Sequence, residues 1–196
     1  MQLDAQGRGF SFRRDEPLDM RMDQSAGQTV AEAIQTVDDR ELADVIYEFG
    51  EERYSRRIAR AIVAARSRSP IASTGQLADI VRRAVPRKGY SRIDPATRTF
   101  QALRIWINRE LDGLDQFLTS ATQRLAAEGR LVVITFHSLE DRIVKHTFRS
   151  LQAEQDLGLT IRTKRPLVPT EAEVHRNPRA RSAKLRVIAR TAQAAS

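Results

Sequence analysis

A polar cluster directly follows the most apolar segment of the chain. Residues 131–136 (LVVITF) are apolar and mostly β-branched, which favours a buried central strand of a parallel sheet. His137, Ser138, Glu140, Asp141 and Arg142 come next. Because ligands of open α/β sheets bind beyond the carboxyl ends of the strands, His137 is a candidate catalytic residue that could orient a substrate group.

The same cluster can be interpreted as the start of a helix. A capping serine at Ser138, followed by acidic residues in the first turn, is typical of a helix N-terminus. The residue types alone leave both interpretations of the cluster open. For Ser138 itself, capping is favoured over nucleophilic catalysis, since the chain has no GxSxG motif.

Other kinds of chemistry are excluded by what the 196 residues lack. There is no cysteine, no phosphate-binding glycine motif and no HExxH motif, and the three histidines do not have the spacing of metal ligands, so no metal site is predicted. No apolar run approaches the roughly 18 residues of a membrane helix. The first ten residues do not resemble a signal peptide, and we therefore predict a cytoplasmic protein that does not bind membranes.

The charge indicates a polyanionic partner. The net charge is +8, and arginine supplies 29 of the 33 basic residues. Residues 51–100 carry a net charge of +8 and residues 151–196 carry +5, whereas residues 1–50 carry −6. Such asymmetry is typical of nucleic-acid binding. The best candidates for phosphate contacts in the first basic block are Arg56, Arg57 and Arg60, and Tyr90 in the basic loop 86–95 is a candidate for base stacking.

The hydrophobic periodicity predicts helices first and strands later. We expect an ordered loop anchored by Phe10 and Phe12, then helices over about 30–35, 39–50, 51–66, 74–81 and 95–111, with a continuation to about 128. Strands are expected at 131–136, 159–162 and 182–189, with a helix after the first. Two or three strands are too few to cover one another as a parallel sheet.

Five ordered motifs carry a family resemblance. They are RGFSFRRDEPLDMRMD (8–23), GEERYSRRIARAIV (50–63), DPATRTFQALRIWINREL (94–111), ITFHSLEDRIVK (134–145) and NPRARSAKLRV (177–187). Together they closely resemble the bacterial 16S rRNA cytosine-N4 methyltransferase family. The resemblance covers nearly the whole chain, from Gln2 to about Arg190.

The resemblance implies a fold, a reaction and partners. Family members transfer a methyl group from S-adenosylmethionine to a cytosine amine of small-subunit rRNA. Their α/β fold is a Rossmann-like methyltransferase sheet with a helical substrate-recognition insertion. By this resemblance, residues 1–9 correspond to a remnant of a cofactor-domain loop, residues 10–107 to the insertion, and residues 108–196 to the carboxyl-terminal half of the methyltransferase domain.

The resemblance also implies site residues. Gln2 matches a family glutamine near the cofactor, and His137 matches a position beyond the family's fifth strand, where it could touch the base or its proton. Members of the motifs that are candidates for RNA or structural contacts are Arg98, Arg104, Asn108, Arg142, Arg179 and Arg181. The glycine-rich loop and the ribose-binding acid of the family have no counterpart in this sequence. We therefore expect no S-adenosylmethionine binding by this chain alone.

Two other functions fit the same residues. One is a catalytically inactive rRNA-binding remnant, and the other is half of a split enzyme. The partners expected are 16S rRNA or the small ribosomal subunit, together with a second copy of the chain or a separate chain that supplies the missing half.

Overall fold

The computed structural model describes residues 7–86 and 93–191 and divides the chain into two compact units. The first unit comprises residues 1–110 and the second comprises residues 111–196. Each has its own buried apolar cluster.

The first unit is helical, as the periodicity predicted. Its elements are α1 (Val30–Thr36), α2 (Asp39–Gly50), α3 (Ser55–Arg66), α4 (Thr74–Ala84) and α5 (Ala96–Asn108). Thr29 caps α1 in a reciprocal arrangement with Glu32, and Asp38 caps α2. The predicted helix over 74–81 is capped by Ser73, whose side chain accepts from the backbone N–H of Gln76.

The amino-terminal loop is held against these helices. Leu18 and Met20 are fully buried, and the Phe12 ring packs edge-on to Phe100 with 4.8 Å between the ring centroids. Both predicted anchors, Phe10 and Phe12, contact the core. This apolar contact explains why a segment without helical periodicity is ordered.

Gly50 permits the close contact between α2 and α5. An added Cβ would lie 2.7 Å from the carbonyl oxygen of Arg98 and 3.3 Å from the Cβ of Ala102. The left-handed residue that ends the helix is Glu51, with φ of 50°, rather than the glycine. Gly50 is therefore required for packing and not for the turn.

The second unit combines helices with a small sheet. Its elements are α6 (Leu114–Gln123), β1 (Arg130–Thr135), α7 (Ser138–Ala153), β2 (Leu159–Ile161), α8 (Glu171–Arg176) and β3 (Lys184–Arg190). The strand order is β1-β3-β2, and both pairings are antiparallel. β1 and β2 both run against β3 but end at different levels of it. Thr135, the last residue of β1, is opposite Lys184, where β3 begins, whereas Ile161, the last residue of β2, is opposite Ile188.

The expectation that residues 131–136 form a central parallel strand is wrong for the described sheet. Within it, β1 pairs only with β3, antiparallel, and lies at the edge. Leu131 and Val133 pack toward the core formed with α6 and α7. On the other face, Val132 and Ile134 are 52% and 55% exposed. The helices of this unit thus cover only one face of the strand.

The described residues contain no helix that is both long and apolar enough to cross a lipid bilayer.

Candidate functional site

The carboxyl end of β1 leads into α7 through His137. The His137 backbone is extended, and its Nδ1 accepts a hydrogen bond from the backbone N–H of Glu140 at 3.4 Å. In return, Glu140 Oε2 accepts from the backbone N–H groups of Phe136 and His137 at 2.9 and 3.4 Å. The capping residue of α7 is therefore His137, and the prediction that Ser138 caps the helix is wrong, because the helix begins at Ser138 itself.

A buried charge network lies just behind this helix start. Asp141 accepts from Nε and Nη2 of Arg186 at 2.6 and 3.2 Å and from Nζ of Lys184 at 3.2 Å. Burial alone would raise the pKa of Asp141, but the hydrogen bonds from Arg186 and Lys184 outweigh burial and hold that pKa below its ordinary value. The network joins α7 to the first residues of β3 and fixes the end of the sheet at which His137 lies.

Three of the predicted RNA-contact residues lie around this edge. Arg179 and Arg181 are exposed on a short 3-10 helix, Pro178–Ser182, which immediately precedes β3. Arg142 is exposed on the first turns of α7. The tertiary structure thus brings these cations to the same end of the second unit as His137.

The first unit carries a separate basic surface on α3. Ile58, Ala59 and Ile62 face the core, which leaves Arg56, Arg57 and Arg60 exposed as the helical period requires. A depression of about 480 Å³ between α3 and α4 is lined by Arg57, Asp79, Arg82, Arg83, Val85 and Pro86. Arg82 is engaged by Asp94 at 2.9 Å and Asp79 at 3.0 Å.

Three predicted contact residues of α5 have structural partners. Arg104 forms a bidentate ion pair with Glu110 at 2.8 and 2.9 Å. Asn108 donates to the carbonyl of Met20 at 2.7 Å and accepts from the backbone N–H of Met22 at 2.6 Å, which ties the amino-terminal loop to α5. Arg98 is exposed and lies 3.8 Å from Glu52. These residues were candidates for either RNA contacts or structural contacts, and the contacts present in the structure are structural.

Two predicted site residues, Gln2 and Tyr90, lie outside the described residues. Among residues 7–86 and 93–191, no cluster of three or more histidine or acidic side chains could hold a metal ion.

Sequence reasoning missed a second basic depression, in the second unit. It has a volume of about 290 Å³ and is lined by α7, β2, β3 and the segment after β2. The spacing of Lys145 and Arg149 on α7 was a visible signal, since residues four apart share a helix face. The contributions of Lys164 and Arg186 depend on strand pairing, which the spacing does not reveal.

These features define an α/β protein with basic surfaces on both units and with His137 between the end of β1 and the start of α7. The chain belongs to the MraW methylase family, whose pattern it matches over residues 1–191.

Curated relatives are similar over nearly the whole chain. Proteins named ribosomal RNA small subunit methyltransferase H from Anaplasma marginale (strain Florida) and Synechococcus elongatus are 54% identical to it over 190 residues, and one from Deinococcus radiodurans is 56% identical over 192 residues. These alignments cover 96–97% of this chain but only 64%, 62% and 59% of the relatives. The chain thus spans about three fifths of the length of the relatives it matches.

Proposed function

We propose that this chain is the larger part of an S-adenosylmethionine-dependent methyltransferase that modifies the exocyclic N4 of a cytosine in 16S rRNA. The observation that carries the proposal is the family match over residues 1–191, with relatives named as methyltransferases of small-subunit ribosomal RNA. The exposed arginines of α3 and of the 3-10 helix before β3 support an RNA substrate, because cations on two surfaces can neutralise a folded polyanion. Because its proposed substrate is ribosomal RNA, we also propose a cytoplasmic location.

The two units have different roles in this proposal. The helical unit, with Arg56, Arg57 and Arg60, recognises the RNA as a substrate-recognition insertion. The second unit belongs to a Rossmann-like sheet. The half-exposed apolar side chains of Val132 and Ile134 support a further layer packed on this face, since a Rossmann-like sheet has helices on both faces.

Neither of the two basic depressions fits S-adenosylmethionine. Its sulfonium group is a cation, whereas lysine and arginine predominate among the charged residues that line the two depressions, with Asp79 as the one acidic residue among them. Like charges at close range are unfavourable. We therefore assign no cofactor contact to the described residues and expect isothermal calorimetry with this 196-residue chain to show no binding. Micromolar affinity would contradict that expectation.

At the reacting base, the chain's own contribution is positional. A cytosine amine is a weak nucleophile because its lone pair is delocalised, so alignment with the methyl donor is the main task of the protein. His137, beyond the end of β1, is the residue we propose to touch the base or its departing proton. Asp141, Lys184 and Arg186 hold this strand edge in place.

The decisive experiment follows transfer of a labelled methyl group to 16S rRNA and to small ribosomal subunits. The chain is assayed alone and mixed with the amino-terminal two fifths of a relative, and the product nucleoside is identified by mass spectrometry. Transfer to cytosine N4 in the mixture supports the proposal, and methylation of another atom contradicts the assigned chemistry. RNA binding without transfer in either assay would favour an inactive rRNA-binding remnant.

The same assay tests His137. His137→Asn retains a side chain that can cap α7, so its stability should stay close to that of the original protein. If the imidazole touches the base, transfer falls while stability is unchanged. Unchanged transfer would contradict a role for His137 in the reaction.

A further inference from the structure

We propose that the depression between α7 and the β2–β3 pair is a phosphate-binding site that holds the backbone of the RNA, an inference that rests on the proposed function. Its eight lining residues are Lys145, Phe148, Arg149, Gln152, Ile161, Thr163, Lys164 and Arg186. None of them is acidic, and four are cationic. The volume of about 290 Å³ is at the lower limit of ligand sites and suits a small polar group rather than a large apolar ligand.

Three of the four cations have no carboxylate partner in the described part of the chain. Lys145, Arg149 and Lys164 form no ion pair there, whereas Arg186 is paired with Asp141. That pair uses Nε and Nη2 of the guanidinium, which leaves Nη1 as a donor. The positive charge of the site is therefore not cancelled from within the unit.

The neutral polar residues of the site also have donors left to offer. The side-chain oxygen of Gln152 accepts from the backbone N–H of Ile161 at 2.6 Å, so its amide N–H groups remain as donors. The hydroxyl oxygen of Thr163 accepts from the backbone N–H of Val187 at 2.9 Å, and its O–H can donate. A site whose open hydrogen-bonding groups are donors selects an anion with several acceptor oxygens, as a phosphate has.

The position of the site favours RNA over a free phosphate. Thr163 and Lys164 follow β2, and Thr163 lies beside Val187, three residues along β3 from Lys184, which is opposite the end of β1 at Thr135. Lys145 lies eight residues beyond His137, which is about 12 Å along the helix axis. A stacked nucleic-acid strand covers this distance with roughly four nucleotides. A strand whose base lies at His137 can therefore place a nearby phosphate in the site. Arg162 and Arg165, both exposed, extend the basic surface on either side of Thr163 and Lys164.

The test compares two triple variants with the same change in charge. The site variant is K145Q/R149Q/K164Q. The matched control is R40Q/R124Q/R130Q, whose arginines are exposed and lie outside the site. Binding of a fluorescent 16S rRNA fragment is measured by anisotropy over a range of salt concentrations, and thermal melts confirm that both variants fold.

We expect the site variant to bind at least about tenfold more weakly at low salt and to lose about 2 from the slope of log K against log salt, at about 0.7 for each contact to a single strand. The control should lose much less affinity. Equal losses in both variants would overturn the proposal, because they would show that only the net charge matters.

Inorganic pyrophosphate serves as the competitor in a second arm. Displacement of RNA from the original protein, but less from the site variant, supports a phosphate site used by RNA. If pyrophosphate binds at the site while RNA affinity is the same in the original protein and the site variant, the assignment to RNA is overturned. Neither arm requires methyl transfer. A failure of the phosphate-site proposal can therefore be distinguished from a failure of the proposed methyl-transfer reaction.

Discussion

Asp141 ties α7 to the beginning of β3, close to His137, through its contacts with Lys184 and Arg186. It is 7% exposed and neutralises the buried guanidinium of Arg186 while also pairing with Lys184. Removing one member of a buried ion pair leaves the other charge desolvated and uncompensated. The network therefore has more influence on the stability of the second unit than an exposed ion pair would.

We expect Asp141→Asn to lower the free energy of unfolding by about 3–5 kcal/mol. Urea denaturation followed by circular dichroism measures this change. The control is Asp156→Asn, an exposed carboxylate of the same unit, for which a change within about 0.5 kcal/mol is expected. Similar losses in the two variants would contradict the importance of the buried pair.

The depressed pKa of Asp141 also predicts a pH dependence. The carboxylate is stabilised in the folded protein, so its contribution is complete above the unfolded-state pKa of about 3.9 and is lost as the pH falls through the lower folded-state pKa. The stability difference between the original protein and Asp141→Asn should therefore be constant from pH 7 to about 5 and shrink below pH 4. A difference that stays constant down to pH 3 would contradict this.

His137 has a structural task besides its proposed contact with the substrate. Replacing it by alanine removes the side chain that accepts from Glu140 N–H and should cost about 1 kcal/mol of stability, whereas His137→Asn should restore most of it. Thermal unfolding of the two variants provides the measurement. Equal destabilisation by alanine and asparagine would show that His137 does not act as a cap.

At the scale of elements, Gly50 allows the close contact between α2 and α5. Gly50→Ala would bring a methyl group against the backbone of Arg98, which cannot move without shifting α5. We expect a loss of about 1–3 kcal/mol in unfolding free energy. Glu48→Ala, on an exposed position of the same helix, is the control and should change stability little. If both variants have the same stability, the close approach is not required.

The basic face of α3 is the second feature that belongs to this scale. Replacing Arg56, Arg57 and Arg60 with glutamine should weaken binding to a 16S rRNA fragment and reduce the salt slope by about 2. A control with the same charge change replaces Arg13, Arg14 and Arg40, which are also exposed in this unit. An unchanged salt slope in the α3 variant would argue against phosphate contacts by these arginines.

At the scale of the whole molecule, two units with separate cores share one chain. The first buries Leu18, Ile46, Ile62 and Leu103 among others, and the second buries Val144, Phe148 and Ile188. A unit with its own core and about 100 residues is large enough to fold independently.

We therefore expect a fragment of residues 1–110 to give a helical circular dichroism spectrum and to unfold cooperatively on heating. Calorimetry and near-ultraviolet circular dichroism measure this cooperativity. A fragment without a cooperative transition would show that the helical unit needs residues 111–196 to fold.

The sequence by itself determined the elements and the family. Apolar periodicity located α1 to α5 and the three strands to within a few residues. The reason is that the spacing of apolar residues reflects the period of the helix or strand that buries them. The five ordered motifs indicated the family to which the chain belongs.

Only the tertiary structure decided which distant residues meet. The run at 131–136 has the composition of a central strand, yet its place at the sheet edge depends on pairing with β3, about 50 residues later. His137, and not Ser138, caps α7, because its extended backbone after β1 directs the imidazole back toward the backbone N–H of Glu140. The site formed by Lys145, Lys164 and Arg186 exists because strand pairing brings three separate segments together. Such long-range contacts depend on chain topology, which the residue spacing along one element does not encode.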